Sequence, residues 1–123
     1  MINGRVNWLL EAIVQVGVQD AAGDLRYFEC VLDTGYDGDI ALPSALIRRL
    51  GLASTGYRDS ALANSDIVQL PIYRGIASWH GRLIDVEVMG TQRESVIGMS
   101  LLENSTLTIQ AWDGGEVIIE ERT

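Results

Sequence analysis

Cys30-Val31-Leu32-Asp33-Thr34-Gly35-Tyr36-Asp37-Gly38-Asp39-Ile40-Ala41-Leu42-Pro43 is the stretch on which the fold turns. An apolar run, Val31-Leu32, stops at Asp33-Thr34-Gly35, and a second run begins at Ile40. Two glycines and three aspartates lie between them. That segment is too irregular for one strand and too apolar at its ends for a free loop. It predicts two strands joined by a tight turn that holds Asp33 in a fixed place, with limited water around its carboxylate. In such a place burial raises a carboxyl pKa and backbone N–H donors lower it again. Acid–base catalysis requires tuning of this kind. Taken alone, Asp-Thr-Gly is also an ordinary Asx-type turn.

On the N-terminal side, Ala12, Val14, Val16 and Val18 alternate with Ile13, Gln15, Gly17 and Gln19. A period of two predicts a half-buried strand. Asp20 to Asp24 reads as a turn and Leu25 to Leu32 as a second strand, so the pair forms a hairpin. Cys30 falls in that strand as a small core hydrophobe. On the C-terminal side, Ile40 to Leu42 is a short strand. A helix follows over Ser44 to Leu50, with Ser44 as cap, Leu46, Ile47 and Leu50 on one face, and Gly51 as stop.

Further along, Asn64-Ser65-Asp66 separates Ser60–Ala63 from Ile67–Leu70 and reads as a hairpin with a polar tip, because Asn tolerates left-handed backbone. Ile72 to Trp79 and Leu83 to Met89 are strands joined by His80-Gly81. Gly90 to Glu94 is a loop. Val96-Ile97-Gly98 is a short strand ending at glycine, and Ser100 to Asn104 forms a helical turn or two. Leu107 to Ala111 alternates as a strand. Asp113-Gly114-Gly115 is a hairpin turn, and Glu116 to Glu121 is the last strand. Short alternating segments between turns predict a mostly β, closed barrel-like domain over 1–123 with one or two short helices.

The 123 residues are 47% hydrophobic, enough for one packed core. Formal net charge is −8, and all nine basic residues are scattered arginines. A nucleic-acid or anionic-membrane partner would need a basic patch, so neither is expected. No apolar stretch is long enough to span a bilayer, and the polar opening, Met1 to Arg5, has no signal-peptide layout. One cysteine makes no internal disulfide, which favours the cytoplasm. The single histidine, His80, reads as a turn residue. It offers no cluster for a metal and no partner for a Ser–His or Cys–His nucleophile, so neither metal nor cofactor is expected.

The run Leu32 to Pro43 resembles the active-site segment of retropepsin-like aspartic proteases, above all the small prokaryotic members. There an aromatic follows Asp-Thr-Gly and a strand ending in Leu-Pro comes next. The second hallmark of that family is an apolar pair, a glycine and a short helix, and Val96-Ile97-Gly98-Met99-Ser100-Leu101-Leu102-Glu103 is similar to it. The resemblance implies an aspartic endopeptidase that acts on peptide or protein substrates as a homodimer, each chain supplying one Asp. Asp33 would be the catalytic carboxylate. Thr34 would bond across the dimer, Gly35 would offer an N–H to the carboxylate pair, and Gly98 would let the two loops pack. Ala63, Asn64 and Ser65 would lie at the tip of a flap closing over substrate.

Two departures stand out. The viral enzymes carry a basic residue after the second motif's glycine, paired with the Asp two positions beyond Asp-Thr-Gly. Here those positions are Met99 and Asp37. Many members have Asp or Asn where this chain has Ser100. A catalytically silent dimeric barrel that binds extended peptides is the alternative, with Asp33 as a structural turn residue. A β-barrel interaction module without a cleft is a third.

Overall fold

The computed structural model describes all 123 residues. Its strands are β1 (Ile2–Val6), β2 (Ala12–Gln19), β3 (Leu25–Leu32), β4 (Ile40–Pro43), β5 (Ala53–Ala61), β6 (Ile67–Trp79), β7 (Arg82–Thr91), β8 (Val96–Ile97), β9 (Ser105–Ile109) and β10 (Glu116–Glu121). Two short helices, α1 (Ser44–Leu50) and α2 (Met99–Leu102), follow β4 and β8.

The strands hydrogen-bond in the order β5-β6-β7-β4-β8-β3-β2-β1-β10-β9, and β6 also pairs with β2. That extra pairing, Gly17 with Ser78 and Val18 with Ala77, closes the six strands from β6 to β2 into a ring. The ring encloses the core. Val14, Val16 and Val18 from β2 meet Ile40 and Leu42 from β4, Val86 and Val88 from β7, and Ile97 from β8. Each such fully buried side chain contributes about 1.5–3 kcal/mol of transfer free energy. The period-two pattern of β2 therefore reports the inner wall directly.

Several sequence expectations shift. β1 forms a strand from Ile2, inside the polar opening, because it is sandwiched between β2 and β10. β6 runs unbroken through Pro71, where a break was expected. Pro71 pairs with Tyr57 on β5, but the ladder with β7 starts only at Ile72, so the missing N–H is not needed there. β7 extends through Gly90 to Thr91 because it lies parallel to β4 over that length. β9 sits two residues earlier than Leu107 to Ala111.

Helix α1 has the predicted span, and Gly51 ends it in a left-handed conformation at φ 71°. Ser44 is not its cap. Pro43 takes the N-cap position, no side chain caps the helix, and Ser44 is the first helical residue. At the β5–β6 tip, Ser65 and not Asn64 is left-handed, at φ 70°. Asn64 instead accepts the Asp66 N–H through its Oδ1 at 3.1 Å.

Candidate active site

Strand β8 is two residues long, yet it organises the site. It is threaded between β3 and β4, the two strands that the Asp33 turn connects. It runs parallel to β3, with Val31 beside Val96 and Leu32 beside Ile97. It runs antiparallel to β4, with Ile40 beside Ile97. The loop over residues 33–39 must therefore arch across the end of β8.

A succession of backbone bonds fastens that arch. The Asp33 N–H donates to the Ile97 carbonyl at 3.0 Å, and the Gly98 N–H donates to the Asp39 carbonyl at 3.0 Å. The Met99 N–H donates to the Tyr36 carbonyl at 2.8 Å, and the Ser100 N–H to the Gly38 carbonyl at 3.2 Å. Within the turn, the Gly35 N–H donates to Asp33 Oδ1 at 2.9 Å, and the Tyr36 N–H to the Asp33 carbonyl at 3.1 Å. One carboxylate oxygen is thus committed to the turn, as an Asx turn requires. The other can serve chemistry.

Gly98 is fully buried under the arch. A Cβ there would lie 2.5 Å from the Gly38 carbonyl oxygen and 2.6 Å from that of Tyr36. Its backbone is extended, at φ −116°, so close approach and not conformation is what calls for glycine.

Asp33, Thr34 and Gly35 are exposed in the single chain. The expectation of limited water around Asp33 does not hold for one copy alone. Its carboxylate opens into a groove of about 480 Å³ whose walls include Leu10, Glu11, Ile109 and Ala111. Ala63, Asn64 and Ser65 lie at the exposed tip of the β5–β6 arm and do not line this groove.

Beneath the arm lies a second, polar hollow that the sequence did not announce. Arg58 on β5 reaches Glu87 on β7 through two hydrogen bonds of 2.8 and 2.5 Å. Arg58 and Glu87 are not register partners, and their link spans β6, which lies between their two strands. The Glu87 N–H donates to Asp39 Oδ2 at 2.9 Å, which ties β7 to the arch. Asp37 is exposed beside this hollow, and Met99 offers it no charge. Tyr36 packs its ring against Gly38 and Gly98. Burial first, then the negative charges of Glu87, Asp39 and Asp37, push its hydroxyl up to about 12.

Cys30 is buried and is the sole cysteine, and desolvation pushes its thiol up to about 12, so it is no nucleophile. His80 turns between β6 and β7, with Nε2 2.8 Å from Ser105 Oγ and its ring against Trp79. It holds β9 in place and lies outside the Asp33 groove.

A two-residue strand threaded between strands joined by an Asp-Thr-Gly arch, inside a six-strand ring, is a specific topology. Among solved structures, the chain is similar to a retropepsin-like aspartic protease from Rickettsia conorii. The TM-score is 0.65 at 19% identity, over 98% of this chain and 89% of that one. The fold is retropepsin-like. No family model and no curated protein matches the chain by sequence. In the retropepsin-like fold found here, both motifs that carried the sequence resemblance meet at one place, the crossing of the 33–39 arch with 97–100.

Proposed function

We propose that the chain is an aspartic endopeptidase whose active form is a homodimer, with one Asp33 from each copy. The observation that carries this is the placement of Asp33. It sits exposed on an arch whose backbone is pinned at four points by residues 97–100. A rigid mount under a solvent-facing carboxylate is what a site needs when its second half arrives from elsewhere.

One carboxylate does not suffice for the reaction. In the dyad, one group accepts a proton from the attacking water while the other protonates the carbonyl oxygen of the scissile bond. Two carboxylates about 3 Å apart cannot both ionise, so they share one proton. Each copy has a single Asp-Thr-Gly, so a two-fold axis through the site supplies the pair. Closure by the partner also removes the water that surrounds Asp33 in one chain. Thr34 is exposed beside it and is assigned to the cross-dimer bond; Gly35 is assigned to the carboxylate pair. The tip residues Ala63, Asn64 and Ser65 are assigned to substrate contact.

The test compares wild type with Asp33→Asn against a mixed peptide library at mildly acidic pH. Asn keeps the size of Asp and can still accept the Gly35 N–H, so the turn survives while the base is lost. Wild type cleaves and the variant does not. Equal cleavage by both overturns the assignment. Binding of extended peptides by both, with cleavage by neither, establishes the silent barrel instead.

A further inference from the structure

The ring closes through only two residue pairs, Gly17 with Ser78 and Val18 with Ala77. Past that seam β2 ends at Gln19 and the chain turns away at Asp20, while β6 extends back through Ile76 and Gly75 to Arg74 and beyond. The two strands part, and a hollow opens between them. The end of α1 forms its third wall, because the Ala21 N–H donates to the Leu50 carbonyl at 2.8 Å. The resulting cavity measures about 340 Å³. It shares no residue with the Asp33 groove or with the polar hollow beneath the arm.

Two unpaired charges of opposite sign flank an apolar floor there. Leu52, Ala53 and Ile76 supply apolar surface, and Ile76 is 37% exposed. Asp20 is engaged elsewhere: Arg26 donates to one carboxylate oxygen at 2.9 Å, and the Ala22 and Asp24 N–H groups donate to the other. Arg74 and Asp85 are not engaged. The ion pairs of the chain are Arg26–Asp20, Arg58–Glu87 and Arg82–Glu121, and neither residue belongs to one. The β6–β7 ladder gives the reason. Arg74 lies opposite Glu87, but Arg58 bonds both Glu87 oxygens. Asp85 lies opposite Ile76, which offers no charge. Arg74 and Asp85 are therefore diagonal neighbours across the ladder, a placement that sets residues about 7–8 Å apart.

Sites for small molecules measure about 300–1,000 Å³ and set a few polar groups on mostly apolar walls. This cavity lies at the lower end of that range, so its occupant is small. A cation and an anion held apart over an apolar floor match a zwitterion with an apolar side chain. We propose that the cavity binds a free apolar α-amino acid. Its carboxylate meets Arg74, whose fork suits that group, its ammonium meets Asp85, and its side chain lies against Leu52, Ala53 and Ile76. An apolar acid or an apolar amine would leave one of the two charges without a partner. Ala53 opens β5 and pairs with Arg74 on β6, so the occupant touches both strands of the arm where they leave the ring.

Leucine is the probe. The full chain is titrated with L-leucine, N-acetyl-leucine, leucinamide and glycine, and binding is followed by amide NMR. Leucine is expected to shift the Gly51, Ala53 and Gly75 signals with a Kd of about 1 mM or tighter. N-acetyl-leucine lacks the ammonium, leucinamide lacks the carboxylate and glycine lacks the side chain, so each is expected to bind at least about tenfold more weakly. Arg74→Gln and Asp85→Asn are each expected to weaken leucine by about tenfold. Both positions are exposed, and circular dichroism confirms that the variants fold. No shift at these residues with leucine at about 10 mM overturns the site. Leucine binding that neither variant weakens overturns it too, as does N-acetyl-leucine or leucinamide binding as tightly as leucine. No arm of the titration involves cleavage, so failure here leaves the peptidase reading standing.

Discussion

Gly98→Ala tests the crossing of the two loops. The extended backbone of Gly98 suits any residue, so the whole cost is steric. The added Cβ would sit 2.5 Å from the Gly38 oxygen, 2.6 Å from the Tyr36 oxygen and 2.6 Å from Tyr36 Cδ2. The ring can turn aside. The two oxygens cannot, because they accept the Ser100 and Met99 N–H groups. Relief therefore means loosening the arch under Asp33. Overpacking costs about 1–3 kcal/mol, and with two immovable backbone oxygens the upper half of that range applies. At roughly 2.1 cal/mol/K of unfolding entropy per residue, the 123 residues give about 260 cal/mol/K, so 2 kcal/mol lowers Tm by about 8 °C. Gly81→Ala is the control. Its Cβ meets nothing within 4 Å, and only its positive φ of 76° is strained, which costs about 1 kcal/mol or about 4 °C. Thermal melts followed by circular dichroism decide. A Gly98→Ala Tm within 2 °C of wild type, or no lower than that of Gly81→Ala, refutes the packing argument.

Two further outcomes concern charge. The dimer should strengthen with salt, because each chain carries −8 and 0.1 M salt screens exposed charges beyond about 10 Å; sedimentation that shows weaker association at higher ionic strength contradicts this. Alkaline stability should fall from about pH 9 upward. Burial pushes the Cys30 thiol from 9.0 to about 12, and burial with nearby carboxylates pushes the Tyr36 hydroxyl from 10.0 to about 12. The unfolded chain therefore loses these protons first, so it is favoured as pH rises through this window. Urea midpoints should decline between pH 9 and 11, and the decline should flatten in a Cys30→Ala, Tyr36→Phe variant; a rising midpoint contradicts it.

Local pattern carried the parts of the fold that depend on local burial. The valines of β2 alternate because one face is core, and α1 ends at Gly51 because that position is left-handed. The Asp33 turn was legible because its carboxylate bonds two residues on. Less was legible where long-range partners decide. Val96-Ile97 is too short to show a period, and only the flanking β3 and β4 make it a strand. β1 reads as polar because it is a strand through its neighbours and not through its own residues. Pro71 hid the continuity of β6, since the ladder that tolerates it is set by where β7 stops pairing. The exposure of Asp33 ran against the expectation for a strand end, because the turn lies at the surface of the single chain, and the homodimer proposed above is what would cover it. The Arg58–Glu87 link, between residues distant in sequence, had no local signal at all.

Subunit mixing reveals whether two Asp33 carboxylates share one site. Wild type and Asp33→Asn are unfolded together, refolded at varied ratios and fixed total concentration, and assayed for peptide cleavage. If each site needs both carboxylates, mixed dimers are inactive and the rate follows the square of the wild-type fraction, leaving about one quarter at an equal mixture. A rate that falls linearly, to about one half, means that each chain works alone and rules out a shared site.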